Sequence, residues 1–173
     1  MANKNTQGFG LIPGDRLGNT PAISGQSKYF IDAGVAGAIY NGSAVKSAAG
    51  YIVNGQGSAA PVVGVLNGVF FNAATTLKPT FANFYSGSIT PANSEDITAF
   101  VNDDPFQNYI VGTDDAVAQA GYLETYDMNT TAGSSTTGKS SATLDIGTTG
   151  ADDKQYRLLR SAEDPSNDTN AAF

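Results

Sequence analysis

The side chains best supplied for chemistry are acids. Of 173 residues, 16 are Asp or Glu and 9 are Lys or Arg, for a formal charge of −7. Adjacent acids stand at Asp103-Asp104, Asp114-Asp115, Asp152-Asp153 and Glu163-Asp164. Two carboxylates about 5–9.5 Å apart can hydrolyse a glycoside. Carboxylates grouped with backbone carbonyls can hold calcium, and Asp103 with Asp104 is the natural place for it. No D-x-[DN]-x-[DN]-G loop accompanies them. A chain with this many acids contains such pairs by chance. They read best as solvated, turn-forming residues.

Other chemistry is missing by residue type. There is no His, which removes the commonest general base and the commonest zinc ligand together. There is no Cys, so no disulfide and no thiolate. Ser and Thr abound without a G-x-S-x-G elbow. Gly138-Lys139-Ser140 is a fragment of a P-loop inside a low-complexity stretch, and Gly8-Phe9-Gly10 has no helix to follow it. The sequons at Asn41, Asn129 and Asn167 are chance matches, because the first residues, MANKNTQGFG, carry no apolar export core. The expectation is a protein that is not an enzyme, with no cofactor and no metal.

Charge narrows the partners. Nucleic-acid binding needs clustered Lys and Arg, and here they are scattered singly. An acidic surface is repelled by anionic membranes, and no run approaches the 18 or so apolar residues of a spanning helix. Neither nucleic acid nor membrane is expected. A chain without cysteine or export signal is expected to be made and assembled in a cytoplasm.

The elements that must present any contact surface read as strands. Charged residues are 14% of the chain, and Gly, Ser, Thr, Asn and Ala fill the difference. One domain of this length buries roughly 68–70% of its unfolded surface, enough for a core without staples. The organising stretch is Tyr29 to Asn72, with Asn41-Gly42, Asn54-Gly55 and Asn67-Gly68 evenly spaced within it. Asn-Gly is the strongest short signal for a two-residue hairpin turn. The spacing predicts a meander with sequential pairing. Val62 to Leu66 and Val69 to Phe71 are expected as the two arms of the clearest hairpin. Val62, Gly64 and Leu66 are expected on one face and Val63 and Val65 on the other, with both faces covered. Further strands are expected at Tyr29 to Ile31, Ala33 to Tyr40, Val45 to Ala48, Gly50 to Val53, Ile97 to Val101, Gln107 to Val111, Ala142 to Ile146 and Lys154 to Arg160. Asp114 to Met128 could hold a short helix or a strand.

The margins are different. Residues 1–28 are Gly- and Pro-rich and read either as a loosely ordered lead-in or as an extended N-terminal arm lying on a partner, with Phe9, Leu11 and Ile12 as apolar anchors and Arg16 as a polar one. Residues 29–173 form the β-rich domain. Phe81, Phe84 and Tyr85 either cap the core or form an exposed contact patch. Residues 129–141 are Ser/Thr/Gly-rich and read as a flexible hairpin tip or surface loop. Two strands end in acids followed by Pro, at Asp103-Asp104-Pro105 and Glu163-Asp164-Pro165. Ala171-Ala172-Phe173 resembles the start of another strand, so the natural chain is expected to continue. The fold class expected is all-β, an antiparallel β-barrel or sandwich, with a jelly roll as the alternative.

Several segments, in order, resemble the capsid decoration (cement) proteins of tailed bacteriophages. They are Gly8-Phe9-Gly10 with Arg16, Ala38 to Val45, Gly64 to Phe71, Val101 to Pro105, and Ser135 to Ser140 ahead of Leu144-Asp145. The resemblance implies a structural virion protein on the outer capsid surface. It would bridge neighbouring subunits of the major capsid protein and stabilise the shell. It implies a homo-oligomer, dimer or trimer, with the aromatic and arm residues above as partner contacts. A phage tail, receptor-binding or carbohydrate-binding β module is the competing class.

Overall fold

The computed structural model describes residues 8–18, 25–57, 60–148 and 154–162. They form an all-β sandwich of antiparallel sheets. In chain order the strands are β1 (Ile12–Arg16), β2 (Ser27–Ile31), β3 (Ala44–Ala48), β4 (Tyr51–Asn54), β5 (Gly64–Asn72), β6 (Pro79–Ala82), β7 (Ile97–Asn102), β8 (Gln107–Ile110), β9 (Thr125–Met128), β10 (Leu144–Asp145) and β11 (Tyr156–Arg157). The main sheet runs β2-β7-β5-β3-β4, with β6 also paired to β5. One edge of β5 pairs with β3 at Gly64 and Val65 and then with β6 from Val69 to Asn72. The other edge pairs with β7. A three-stranded sheet, β10-β9-β11, and a two-stranded ribbon, β1-β8, complete the layers.

β7 shows why the main sheet forms. Ile97, Ala99 and Val101 alternate inward and are fully buried, while Thr98 and Phe100 face the other way. The inward set joins Ile31, Ile39, Val45, Ile52, Leu66, Val69 and Tyr85 in one core. Each large apolar side chain buried there contributes about 1.5–3 kcal/mol. A second core holds Leu11, Ala44, Val65, Tyr126, Met128, Ala142 and Leu144. Adjacent residues on β5, Val65 and Leu66, thus enter different cores. The expected double coverage of Val62 to Leu66 is present, but its face assignment is not. Val62 packs with Val65, and Val63 packs with Leu66. The reason is that regular alternation starts only at Gly64, where strand pairing begins.

Several other local expectations are corrected. Asn67-Gly68 is not a hairpin turn but lies inside β5. The β5–β7 register shifts between Leu66 and Gly68, so Asn67 is absorbed as a bulge and pairing continues on both sides. Continuous pairing with β7 and β6 outweighs the local turn preference. The two-residue turn joins β3 to β4 at Ala49-Gly50, with φ of +51° and +88°. Sequential pairing across Tyr29 to Asn72 also fails, because β2 pairs with β7. Ala33 to Tyr40 is not a strand. Val35 N–H closes a turn onto the Asp32 carbonyl at 3.0 Å, and only Ile39 bridges, to Tyr85. Its small side chains bury too little surface to hold a strand. Asp114 to Met128 holds a single 3₁₀ turn at Gln119–Gly121 and then β9. Strands expected at Ala142 to Ile146 and Lys154 to Arg160 shrink to two residues each.

Candidate partner-binding face

The outward face of the main sheet is aromatic. Register places Phe30 of β2 opposite Thr98 of β7, Thr98 opposite Phe70 of β5, and Phe70 opposite Phe81 of β6. Directly opposed residues of antiparallel strands project to the same side. These four therefore form one row across four strands. The next row is Lys28, Phe100 and Gly68. Phe30, Phe70 and Phe81 are 51%, 37% and 61% exposed. Phe81 leans over Gly68 toward Phe100, with ring centroids 6.1 Å apart and planes tilted by 43°. Such a pair is worth about 0.5–1.5 kcal/mol beyond its burial. Only a glycine leaves room for that ring, since a β-carbon at Gly68 would stand 2.6 Å from its Cζ. Lys28 is the one charged residue in these two rows.

The expected contact residues do not gather in one place. Phe81 belongs to the aromatic face. Phe84 stacks on Tyr40, with centroids 5.3 Å apart and planes 10° apart. Tyr85 is fully buried, and its hydroxyl donates to the Val35 carbonyl oxygen at 2.7 Å. Core and contact patch thus each claim part of this cluster. The reason is that Tyr85 bridges to Ile39 and points inward, while Phe81 lies on the outer side of β6.

The described part of the N-terminal arm lies on its own domain. Leu11 is 2% exposed within the second core, and its N–H donates to the Gly42 carbonyl at 2.9 Å. Phe9 is half-buried beside it in sequence. Ile12 stands opposite Ile110, each 46% exposed. Arg16 Nε sits 2.7 Å from the Asp104 carboxylate. That contact is electrostatic and not aligned as a hydrogen bond; Nη2 donates to the other oxygen at 3.4 Å. Leu17 and Phe106, 60% and 55% exposed, extend a second, smaller apolar strip on the β1–β8 ribbon.

Asp103 and Asp104 hold the strand exit in place. The Tyr29 hydroxyl donates to Asp103 at 2.7 Å, and this hydrogen bond is the main reason its pKa is raised. Asp104 also accepts from the Phe106 N–H at 2.9 Å, closing the turn before Pro105 leads into β8. Asp152, Asp153, Glu163, Asp164 and Pro165 lie outside the described residues. Among the described residues no three His, Cys, Asp or Glu converge as metal ligands. The 129–141 loop links β9 to β10, and its return limb is pinned. Asn41 N–H donates to the Gly138 carbonyl at 2.9 Å, and Ser140 N–H donates back to the Asn41 carbonyl at 2.8 Å.

No protein-family model, no curated protein and no solved structure matches this chain. Function must therefore be argued from the face itself. A contiguous exposed apolar patch on a folded domain marks an interaction site more often than chance. Sequence reasoning missed Phe30, Phe70 and Phe100. Their signal was available as Tyr29-Phe30-Ile31 and Val69-Phe70-Phe71, runs in which apolar residues occupy both faces of a strand. What it could not show is that β2, β7, β5 and β6 are neighbours.

Proposed function

We propose that this protein is a structural component of a bacteriophage virion. It binds the outer surface of the head, bridges subunits of the major capsid protein and stabilises the shell. The observation that carries the binding role is the row Phe30–Thr98–Phe70–Phe81, three exposed aromatic rings on a rigid sheet face. Rigid aromatic side chains give large contact area at low entropic cost, and they are enriched at protein interfaces. The resemblance to cement proteins supplies the partner. Repeated attachment of a homo-oligomer would add modest contacts into firm binding.

The test is cosedimentation with purified heads that lack this protein. The wild-type chain should sediment with heads to a fixed copy number. Phe81→Asp combined with Phe30→Asp should abolish that while leaving the circular dichroism spectrum intact. Full binding by the double variant would place the contact elsewhere. Failure of the wild type to bind any head would overturn the virion role. A carbohydrate-binding module is the second reading, since exposed aromatic rings can stack on sugar rings. A glycan array that lights up only with the intact row would favour it.

A further inference from the structure

Lys154 Nζ lies 2.8 Å from Oδ2 of Asp127, and the two side chains are only 22% and 17% exposed. Asp127 on β9 stands directly opposite Asp145 on β10. Cross-strand neighbours of this kind have β-carbons about 4.5–5.5 Å apart on the same face. The two carboxylates therefore stand on one face of the β9–β10 pair: Asp127 holds the ion pair, and Asp145 Oδ1 accepts the Gly147 N–H at 3.0 Å. The second oxygen of Asp127, Oδ1, is buried with no hydrogen-bond partner. A buried carboxylate oxygen without a donor is costly. A plain ion pair leaves that penalty in place.

We propose that Lys154 and Asp127 condense into an intramolecular isopeptide bond. Asp145 accepts a proton from the Lys154 ammonium. The freed amine attacks Cγ of Asp127 and a C–N bond forms. The second proton lost from nitrogen and the proton held by Asp145 pass to one carboxylate oxygen. The C–O bond breaks and that oxygen leaves as water. An ammonium and a carboxylate become an amide plus water, Asp145 ends as it began, and no oxidant or co-reactant enters. The product removes both partly buried charges and one of the two carboxylate oxygens.

The bond has a structural use. Among the described residues, β11 is a two-residue strand that pairs only with β9. A covalent link from Lys154 to β9 anchors the chain just ahead of it. The chain has no cysteine, so a disulfide cannot do this. Closing the loop between residues 127 and 154 restricts the unfolded chain, as any cross-link does. The inference is independent of what the aromatic face binds.

The test is the intact mass of the purified, denatured full chain, which should be lighter than its sequence mass by one water. Protease mapping should join the peptides that carry Asp127 and Lys154. Lys154→Arg keeps a cation for the ion pair but lacks a condensing amine, and it should show the full mass, as should Asp127→Ala. Asp145→Ala should condense more slowly, seen as a mixture that matures on storage. A wild-type chain at full mass, or a water loss mapped elsewhere, would overturn the proposal. Condensation of Asp145→Ala at the wild-type rate would overturn the role given to Asp145.

Discussion

The ring of Phe81 lies over the α-carbon of Gly68. A β-carbon there would stand 2.6 Å from Cζ of the ring and 3.0 Å from the Ala82 carbonyl oxygen. Gly68→Ala must therefore move either the ring or the β5–β6 backbone. Overpacking of this kind costs about 1–3 kcal/mol. Urea denaturation should show that loss. Phe81→Ala, which removes the obstructing ring, should recover part of it in the double variant. Equal losses in the single and double variants would mean that the backbone, not the ring, is the obstacle.

The turn that joins β3 to β4 holds a non-glycine residue in the left-handed region. Ala49 has φ of +51° and Gly50 +88°. A left-handed residue with a β-carbon costs about 1–2 kcal/mol, and Asn tolerates it better than Ala. Ala49→Asn creates the Asn-Gly pair this turn prefers. It should raise stability by about 0.5–1 kcal/mol. A higher urea midpoint with an unchanged slope would show it.

Asp104 ties β1 to the turn between β7 and β8. It pairs with Arg16 of β1 at 2.7 Å and accepts the Phe106 N–H at 2.9 Å. Asp104→Ala loses both and should cost about 1–2 kcal/mol. Asp104→Asn keeps an acceptor for the turn and should cost less. In a double-mutant cycle with Arg16→Ala, the coupling should stay below about 1 kcal/mol, because both partners are partly solvated. A larger value would mean that the pair is better shielded from water than its exposure implies.

Alkaline stability should be governed by buried tyrosines. Burial pushes the Tyr109 pKa from 10.0 up to about 12, with Asp104 and Asp103 adding to the shift. Tyr156 is raised as well, again mainly by burial. The folded state thus holds its phenolic protons more tightly than the unfolded chain. Their contribution is complete below pH 10 and is lost as pH rises through about 12. Denaturation midpoints should be level up to pH 10 and fall across that window. Tyr109→Phe, whatever its stability at neutral pH, should show a shallower fall. An unchanged slope would place the effect on other groups.

Some of this structure was legible in the residues. Ile97 to Val101 is a run of β-branched and aromatic residues bounded by turn signals, and it forms the strand those residues predict, Ile97–Asn102. Asp103-Asp104-Pro105 marked a strand exit, and both acids are now seen holding it in place. The apolar run at Val62 to Leu66 signalled a strand covered on both faces. The candidate contact face was legible only through Phe81. Phe30, Phe70 and Phe100 looked like ordinary strand residues, because each is followed or preceded by a core residue. Tyr85 could be read as core or as a contact residue, and burial makes it core.

The fold class was readable from the residues. Short runs of strand-forming residues and frequent turn residues specify an all-β domain. These are local properties, set by side-chain chemistry and by period-two alternation. Tertiary structure alone decided what Asn67-Gly68 does. The same pair that closes a hairpin in isolation is held open as a bulge, because β5 pairs with β7 on one side and with β3 and β6 on the other. It also decided the aromatic face and the meeting of Lys154 with Asp127. Both depend on which strands become neighbours, and that is fixed by long-range pairing and shared burial, which no short stretch of chain encodes.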